Sequence, residues 1–209
     1  MVARTMRKKA SPSRMDEALT ARMKALCDEG WEVWDRFALE VRQHEFHPFV
    51  AADYEAVLEA LLPHRAPGRK FLEWGSATGV ITIMADLLGF DAYGIELDAD
   101  LVATARALAT KFGSGAQFAS GSFLPAGYQF HPSDGDGRIG TIGSGPSGYL
   151  QIGHPLEDFD VVFTFPWGGE EAMMLDVMRC YGRPDTILLM NTVNSGVKVY
   201  RAGQVVATA

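Results

Sequence analysis

The chain contains little cysteine, no long apolar run and no excess of basic residues. Cys27 and Cys180 are its two cysteines in 209 residues. Their wide separation excludes a disulfide framework and a Cys-x-x-Cys zinc site. No run of about 18 uncharged apolar residues occurs, and the basic N-terminus is not followed by an apolar segment, so neither a membrane helix nor a secretory signal is predicted. These absences predict a soluble protein of a reducing compartment, the cytoplasm, without a membrane partner.

The charge balance bears on the class of partner. The formal net charge is −7, whereas proteins that bind nucleic acid through its phosphates normally present a basic surface. Hydrophobic residues make up 47% of the chain, which is enough to form a sizeable core. The composition therefore favours a globular domain with a small-molecule partner, and leaves RNA as an alternative.

The N-terminal quarter reads as an extension that precedes the main domain. Residues 1–13 are basic and polar and are predicted to form a disordered tail. Apolar residues then recur at helical spacing, which predicts helices over 14–43 and 53–62. Gly30 is expected to break or bend the first of these helices. We expect residues 14–62 to form a helical lid beside the main domain.

From residue 63 onward, strands alternate with helices. Short apolar strands are predicted at 70–74, 91–97, 116–120, 160–165 and 186–190, with helices between them at 80–88, 100–112 and 170–180. This alternation is typical of an α/β domain with a mostly parallel sheet that is covered on both faces. Residues 197–208 predict a C-terminal antiparallel hairpin. Residues 121–158 lack periodicity and are predicted to be an insertion that forms a second wall of the site.

A small-residue turn separates the first predicted strand from the helix that follows. Small residues let the backbone approach a ligand closely, and Glu96 stands 21 residues beyond Gly75, at the end of the second strand. A carboxylate at that place can accept hydrogen bonds from both ribose hydroxyls. Glu73 precedes the turn by two residues, where it would repel a pyrophosphate and suit a cationic amino-acid group. The spacing predicts a nucleoside-containing cofactor.

The segment from Glu73 to Gly79 resembles the first motif of class I S-adenosylmethionine-dependent methyltransferases, E/D-x-G-x-G-x-G, with Ala77 in place of the middle glycine. The resemblance extends from about Phe71 to Met190 and implies a Rossmann-like, doubly wound fold with S-adenosylmethionine as cofactor. The cofactor-binding residues that it implies are Glu73, Gly75, Ser76, Ala77, Gly79, Glu96, Leu97, Ser122 and Phe123. Ser122 stands where the family usually has an aspartate against adenine. Phe123 could stack on the base instead.

A second motif, Thr164 to Glu171, follows the fourth predicted strand, where the substrate-facing motif of these methyltransferases lies. Its Pro-Trp-Gly-Gly run is similar to the Ser-Pro-Pro-Trp-Gly-Gly of RNA-cap trimethylguanosine synthases. The resemblance implies that Thr164, Pro166 and Trp167 position the substrate, with the indole as a stacking platform. The alternative that Pro166 and Trp167 end the strand and pack under the next helix remains open.

The sequence thus predicts an enzyme, an S-adenosylmethionine-dependent methyltransferase with an unidentified acceptor. A small molecule is favoured, and an RNA or nucleotide amine is the alternative. Family members usually place a helix where this chain has its C-terminal hairpin, so a non-catalytic binding module with the same fold is a second hypothesis. A nucleotide-dependent oxidoreductase is a third. No metal site is predicted: the pair His44 and His47 lacks further ligands and is interpreted as surface or packing. The oligomeric state is not predicted.

Overall fold

The structure, a computed structural model, describes residues 15–129, 145–192 and 195–208. The helices are α1 (Glu17–Phe37), α2 (Tyr54–Leu61), α3 (Val80–Leu87), α4 (Ala99–Lys111), α5 (Tyr149–Ile152) and α6 (Glu171–Tyr181). The strands are β1 (Lys70–Trp74), β2 (Asp91–Glu96), β3 (Gln117–Ser120), β4 (Val161–Thr164), β5 (Ile187–Thr192), β6 (Gly196–Arg201) and β7 (Gln204–Thr208). The predicted alternation of strands and helices is confirmed.

All seven strands form one sheet in the order β3-β2-β1-β4-β5-β6-β7. Strands β1 to β5 pair in parallel, and β6 and β7 are added as an antiparallel hairpin. The α/β class, the mostly parallel sheet and the C-terminal hairpin are therefore as predicted. Since the parallel strands run the same way, the carboxyl ends of β1, β2 and β4 lie at one edge of the sheet. Within the described residues, no helix is both long and apolar enough to span a bilayer.

Apolar side chains cover both faces of the sheet because alternate residues of each strand point to opposite sides. On one face, Phe71 packs with residues of α1, α2, α3 and α4. On the other, Leu72 and Trp74 pack with residues of α5 and α6. The exposed side chains of Val205 and Val206 lie on the edge strand β7.

Helix α1 packs on α3, and α2 packs on α3 and β6. Helix α1 begins at the cap residue Asp16, whose carboxylate accepts the Leu19 N–H, and it continues through Gly30 without the break that was one of the two predicted outcomes. A β-carbon on Gly30 would lie 2.9 Å from both the Tyr54 ring and Val80. The glycine therefore allows close packing of α1 on α2 and α3. A π-helical turn, Ala38–Arg42, follows α1 and leads into an extended segment that ends at α2.

Two predicted segments fall wholly or partly outside the described residues. The expected tail at 1–13 lies outside them, as does the middle of the predicted insertion, 130–144. The described flanks of the insertion meet in a parallel bridge between Ser122 and Ser147. Helix α5 and a 3-10 turn, Leu156–Asp158, then lead back into β4.

A close contact under the small-residue turn generates a stability prediction. A β-carbon added to Gly94 of β2 would lie 2.7 Å from Ser76 and 2.9 Å from the Phe118 ring. We expect Gly94→Ala to lower the free energy of unfolding by about 1–3 kcal/mol, because overpacking forces the turn away from the strand. Urea unfolding measures the effect. Gly115→Ala is the matched control, since its added carbon would meet only Asp86 at 3.4 Å. Equal stability of the two variants would contradict the packing interpretation.

Candidate functional site

A cavity of about 220 Å³ lies at the carboxyl ends of β1, β2 and β4. This is the edge at which open α/β sheets generally bind ligands. Four chain segments supply most of its wall: the segment before α2, the turn after β1, the end of β2 and the loop after β4. The lining residues are His47, Pro48, Phe49, Val50, Trp74, Gly75, Ala77, Glu96, Leu97, Asp98, Leu101, Phe123, Thr164, Phe165, Pro166, Trp167, Gly168, Glu170 and Met174.

The turn after β1 is held by hydrogen bonds from its own backbone. The N–H groups of Gly75 and Ser76 both donate to the Ile95 carbonyl, at 2.9 and 3.0 Å. Gly75 has φ of +69°, and a β-carbon there would meet nothing within 4 Å. Ala77 also has a positive φ, +44°, which is uncommon for a residue with a β-carbon. The turn thus presents open backbone at Gly75 to the cavity.

Glu96 holds that turn against the end of β2. One carboxylate oxygen accepts the Ala77 N–H at 2.8 Å, and the other accepts the Asp98 N–H at 3.0 Å. Burial raises the pKa of Glu96, while these backbone donors oppose the shift. A carboxylate oxygen has more than one acceptor direction, so Glu96 can still accept hydroxyl donors from the cavity side.

Aromatic side chains form one wall of the cavity. Trp74 and Phe123 are stacked with ring centroids 5.2 Å apart and an interplanar angle of 15°. The Trp74 indole N–H donates to the buried Tyr149 hydroxyl at 2.8 Å, so the polar atom of the indole is satisfied away from the cavity. The wall beside the turn is therefore apolar where these two buried rings reach the cavity.

The loop after β4 forms the opposite wall. Thr164 is fully buried, and its hydroxyl donates to the Met174 sulfur at 3.1 Å. The Trp167 N–H donates to the Glu170 carboxylate at 2.9 Å, and the Glu170 N–H donates back to the Trp167 carbonyl at 3.1 Å. This reciprocal pair fixes the turn before α6. The partly exposed Trp167 ring lies 6.5 Å from the largely exposed Phe46 ring.

A covering segment, residues 46–50, closes the cavity from the side of the N-terminal helices. The Phe49 ring packs edge-on against Trp34 and Phe37 of α1, at 5.0 and 5.1 Å. His47 lies 3.1 Å from the Asp98 carboxylate through Nε2, and its Nδ1 accepts the Phe49 N–H at 3.1 Å. Burial alone would raise the pKa of Asp98, but the hydrogen bonds from the backbone and from His47 hold it below its usual value.

The charged groups on the described cavity wall are of one kind. Glu96, Asp98 and Glu170 are carboxylates, and no lysine or arginine from the described parts of the chain lines the cavity. Nor do the described residues contain a group of three or more His, Cys, Asp or Glu side chains placed to hold a metal ion. The wall therefore combines apolar surface with negative charge.

Four of the sequence-predicted site residues are not on the cavity wall. The Glu73 carboxylate accepts the Thr82 N–H and hydroxyl at 2.9 and 2.5 Å, on the sheet face opposite Trp74. Gly79 packs against α4 and β3, where a β-carbon would lie 2.7 Å from Ala105 and Phe118. Ser122 Oγ accepts the Leu124 N–H at 3.1 Å.

Ser76 is the fourth. It is 2% exposed, and its hydroxyl has no hydrogen-bond partner among the described residues. Glu73, Ser76, Gly79 and Ser122 thus shape the structure behind the cavity, whereas the other predicted residues meet on its wall: Gly75, Ala77, Glu96, Leu97, Phe123, Thr164, Pro166 and Trp167.

The covering segment and Asp98 line the cavity but were not predicted to do so. His47 was interpreted as a surface or packing histidine, yet it lines the cavity. A signal for Asp98 was present, because a Glu-x-Asp pair at the end of a strand places two carboxylates at the same edge. No comparable signal marks residues 46–50, which lie far from β2 in sequence.

The chain is similar in sequence to a curated methyltransferase. The ribosomal protein L11 methyltransferase of Thermus thermophilus is 32% identical over 107 residues, which are 50% of this chain and 42% of that protein. The chain thus spans less than half the length of this curated relative. No protein-family model matches the chain.

Two solved structures overlap with part of this chain at low similarity. An RNA methyltransferase from Salinibacter ruber in complex with S-adenosyl-L-homocysteine has a TM-score of 0.49 and 18% identity, covering 70% of this chain and 80% of that one. The precorrin-6y C5,15-methyltransferase of Geobacter metallireducens has a TM-score of 0.46 and 17% identity, covering 67% and 62%. Both are distant likenesses.

The buried carboxyl of Glu73 generates a prediction about pH. Burial raises its pKa to about 8 from an ordinary value of 4.5, although Thr82 opposes the shift. Between these two values the folded state holds a proton that the unfolded state has released, so this group makes stability fall as the pH rises. We expect Glu73→Gln to remove up to about 1.4 kcal/mol per pH unit of that dependence.

Urea unfolding of both proteins at several pH values from 5 to 8 measures this difference. The amide oxygen of glutamine can still accept both Thr82 donors, so the variant keeps the local hydrogen bonds. Glu59→Gln, at an exposed position of α2, is the control and should leave the pH dependence unchanged. An identical slope for Glu73→Gln and the parent protein would contradict a raised pKa for Glu73.

Proposed function

We propose that this protein is a methyltransferase that uses S-adenosylmethionine as its cofactor and a small molecule as its acceptor. The observation that supports it most is the composition of the cavity wall. It combines apolar aromatic rings with the carboxylates of Glu96, Asp98 and Glu170, and it includes no described lysine or arginine. S-adenosylmethionine carries a positively charged sulfonium and a planar adenine, and both complement such a wall.

The residues present fit this cofactor. Glu96 is placed to accept ribose hydroxyls, the stacked Trp74 and Phe123 offer an apolar wall for adenine, and Gly75 leaves backbone open where the methionine part would lie. When bound, the cofactor supplies an electrophilic methyl group. The chain's own part is to orient the two reactants and to exclude water, which needs no catalytic dyad.

A nicotinamide dinucleotide fits this cavity less well. Pyrophosphate sites rely on free backbone N–H groups at a turn and helix start. Here the N–H groups of Gly75, Ser76 and Gly79 donate to backbone carbonyls, and that of Ala77 donates to Glu96. A pyrophosphate would also face the carboxylates of the wall. The similarity to the L11 methyltransferase of Thermus thermophilus further supports the methyltransferase function over an oxidoreductase.

The acceptor is proposed to bind against the loop after β4. Thr164, Pro166 and Trp167 form this side of the cavity, and Trp167 offers a partly exposed aromatic ring. The net charge of −7 and the lack of a described lysine or arginine on the wall favour an uncharged or cationic small molecule over RNA. We further propose that residues 14–62 act as a lid on a methyltransferase domain formed by residues 63–209, with 121–158 as its second wall.

The cofactor assignment predicts the effect of Glu96→Gln. The variant loses one charged acceptor for the ribose, so we expect S-adenosylmethionine to bind about 1–3 kcal/mol more weakly. Isothermal titration measures the affinity for S-adenosylmethionine, and a separate titration with NAD serves as the comparison. Glu157→Gln, at an exposed position, is the control. Urea unfolding of both variants separates lost ligand contacts from a loosened turn.

These titrations also separate the competing functions. Binding of NAD in preference to S-adenosylmethionine would contradict the proposal and favour an oxidoreductase. Binding of S-adenosylmethionine without methyl transfer to any compound in a screen of small amines, phenols and RNA would favour a binding module. Methylation of RNA alone would contradict the small-molecule acceptor.

The proposed acceptor site predicts that Trp167 affects the turnover rate and not the affinity for the cofactor. Trp167→Ala removes the ring that the acceptor would pack on, so we expect turnover of the identified acceptor to fall at least tenfold while the affinity for S-adenosylmethionine changes less than threefold. Trp167→Phe keeps an aromatic ring and should retain most of the activity. Steady-state kinetics and titration measure the two effects. Equal losses of cofactor affinity and turnover in Trp167→Ala would contradict a role confined to the acceptor.

A further inference from the structure

The covering segment is attached to the residues that follow β2 by a single described hydrogen bond. Within the described residues, 46–50 make no backbone hydrogen bond to another element, and the pair of His47 with Asp98, the cap residue of α4, is their one side-chain hydrogen bond to the rest of the fold. Aromatic packing of Phe49 on α1 holds the other side of the segment. The position of this segment over the cavity therefore rests on the hydrogen bond of His47 together with the packing of Phe49 on α1.

The two ring nitrogens of His47 have distinct partners. The Phe49 N–H donates to Nδ1, so Nδ1 carries a lone pair and the ring proton is on Nε2, which donates to the Asp98 carboxylate. One neutral imidazole thus fixes the bend of its own segment and ties that segment to the end of β2. With both nitrogens engaged, His47 is a positioning group and not a base for the acceptor.

The pair continues directly into the proposed ribose site. The Asp98 N–H donates to one oxygen of Glu96, and the other oxygen accepts the Ala77 N–H. Asp98 also caps α4, because its second oxygen accepts the N–H groups of Asp100 and Leu101 at 2.7 and 3.1 Å. The covering segment, the end of β2 and the turn after β1 therefore form one hydrogen-bonded unit around the cavity.

We propose that His47 is a positioning residue of the cofactor site: its hydrogen bond to Asp98 latches the covering segment over bound S-adenosyl compound and limits its release. This inference rests on the proposed function. The latch acts through the segment and not by contact with the reacting atoms. Loss of this hydrogen bond raises the dissociation rate of the cofactor. Its effect on the free energy of unfolding is small.

Three variants of the pair isolate the hydrogen bond. His47→Phe keeps a ring of similar size against Phe37 but has neither a donor nor an acceptor. His47→Gln restores one donor and one acceptor. Asp98→Asn keeps an oxygen to cap α4 but turns an amide N–H₂, which cannot accept a hydrogen bond, toward the Nε2–H of His47.

The test measures the release of S-adenosylhomocysteine by stopped-flow displacement, with indole fluorescence from the cavity tryptophans as the signal. We expect release to be about tenfold faster in His47→Phe and in Asp98→Asn, with no further increase in the double variant. His47→Gln should lie within about threefold of the parent protein. Hydrogen exchange at the Phe49 amide should become faster in His47→Phe, because the acceptor of that amide is lost.

His154→Phe is the matched control. His154 also contacts a carboxylate, Asp158, at 2.9 Å, but it does not line the cavity. In urea unfolding, His154→Phe should lose about as much stability as His47→Phe. Its rate of ligand release should equal that of the parent protein. Release rates in His47→Phe within twofold of the parent protein, or no rescue by glutamine, would overturn the latch while leaving the cofactor proposal intact. A parent protein that binds no S-adenosyl compound would overturn both.

Discussion

The Glu96 carboxylate is the group on which the geometry of the cavity depends. Its two oxygens join the turn after β1 to the residues that follow β2 through the N–H groups of Ala77 and Asp98. Ala77 adopts a positive φ that its β-carbon disfavours, and this hydrogen bond helps to stabilise that conformation. The same carboxylate therefore shapes the turn and lines the cavity, so a change at this side chain affects both.

The sheet around Glu96 determines where the other cavity residues lie. Parallel pairing places the ends of β1, β2 and β4 side by side, so that residues from three distant parts of the chain meet without long loops. Glu73 and Trp74 are neighbours in sequence, yet strand alternation sends them to opposite faces. One supports the start of α3 from behind, and the other becomes part of the cavity wall.

Sequence reasoning succeeded where a feature is local and failed where it depends on packing. The turn after β1 and Glu96 could be predicted because a strand, small residues and a fixed spacing define them within 24 residues. The motif that proposed a cofactor contact for Ser122 does not reveal that its hydroxyl accepts the Leu124 N–H. Gly30 was expected to break or bend its helix, and its close packing against Tyr54 could not be predicted. The covering segment lacked any periodic pattern, and its contact with Asp98 joins residues 51 positions apart.

The hairpin at the end of the chain has a consequence of its own. Strand β7 is the outermost strand of the described sheet, and Val205 and Val206 are exposed on it. An edge strand has backbone N–H and C=O groups that no neighbouring strand pairs, and exposed valine side chains beside them favour association with another chain. Because β6 stands between this border and the parallel strands, another extended polypeptide could join the sheet there without distorting the distant cavity. Association with another chain would therefore involve a lateral edge of the sheet, whereas the cavity lies at the carboxyl ends of its central strands.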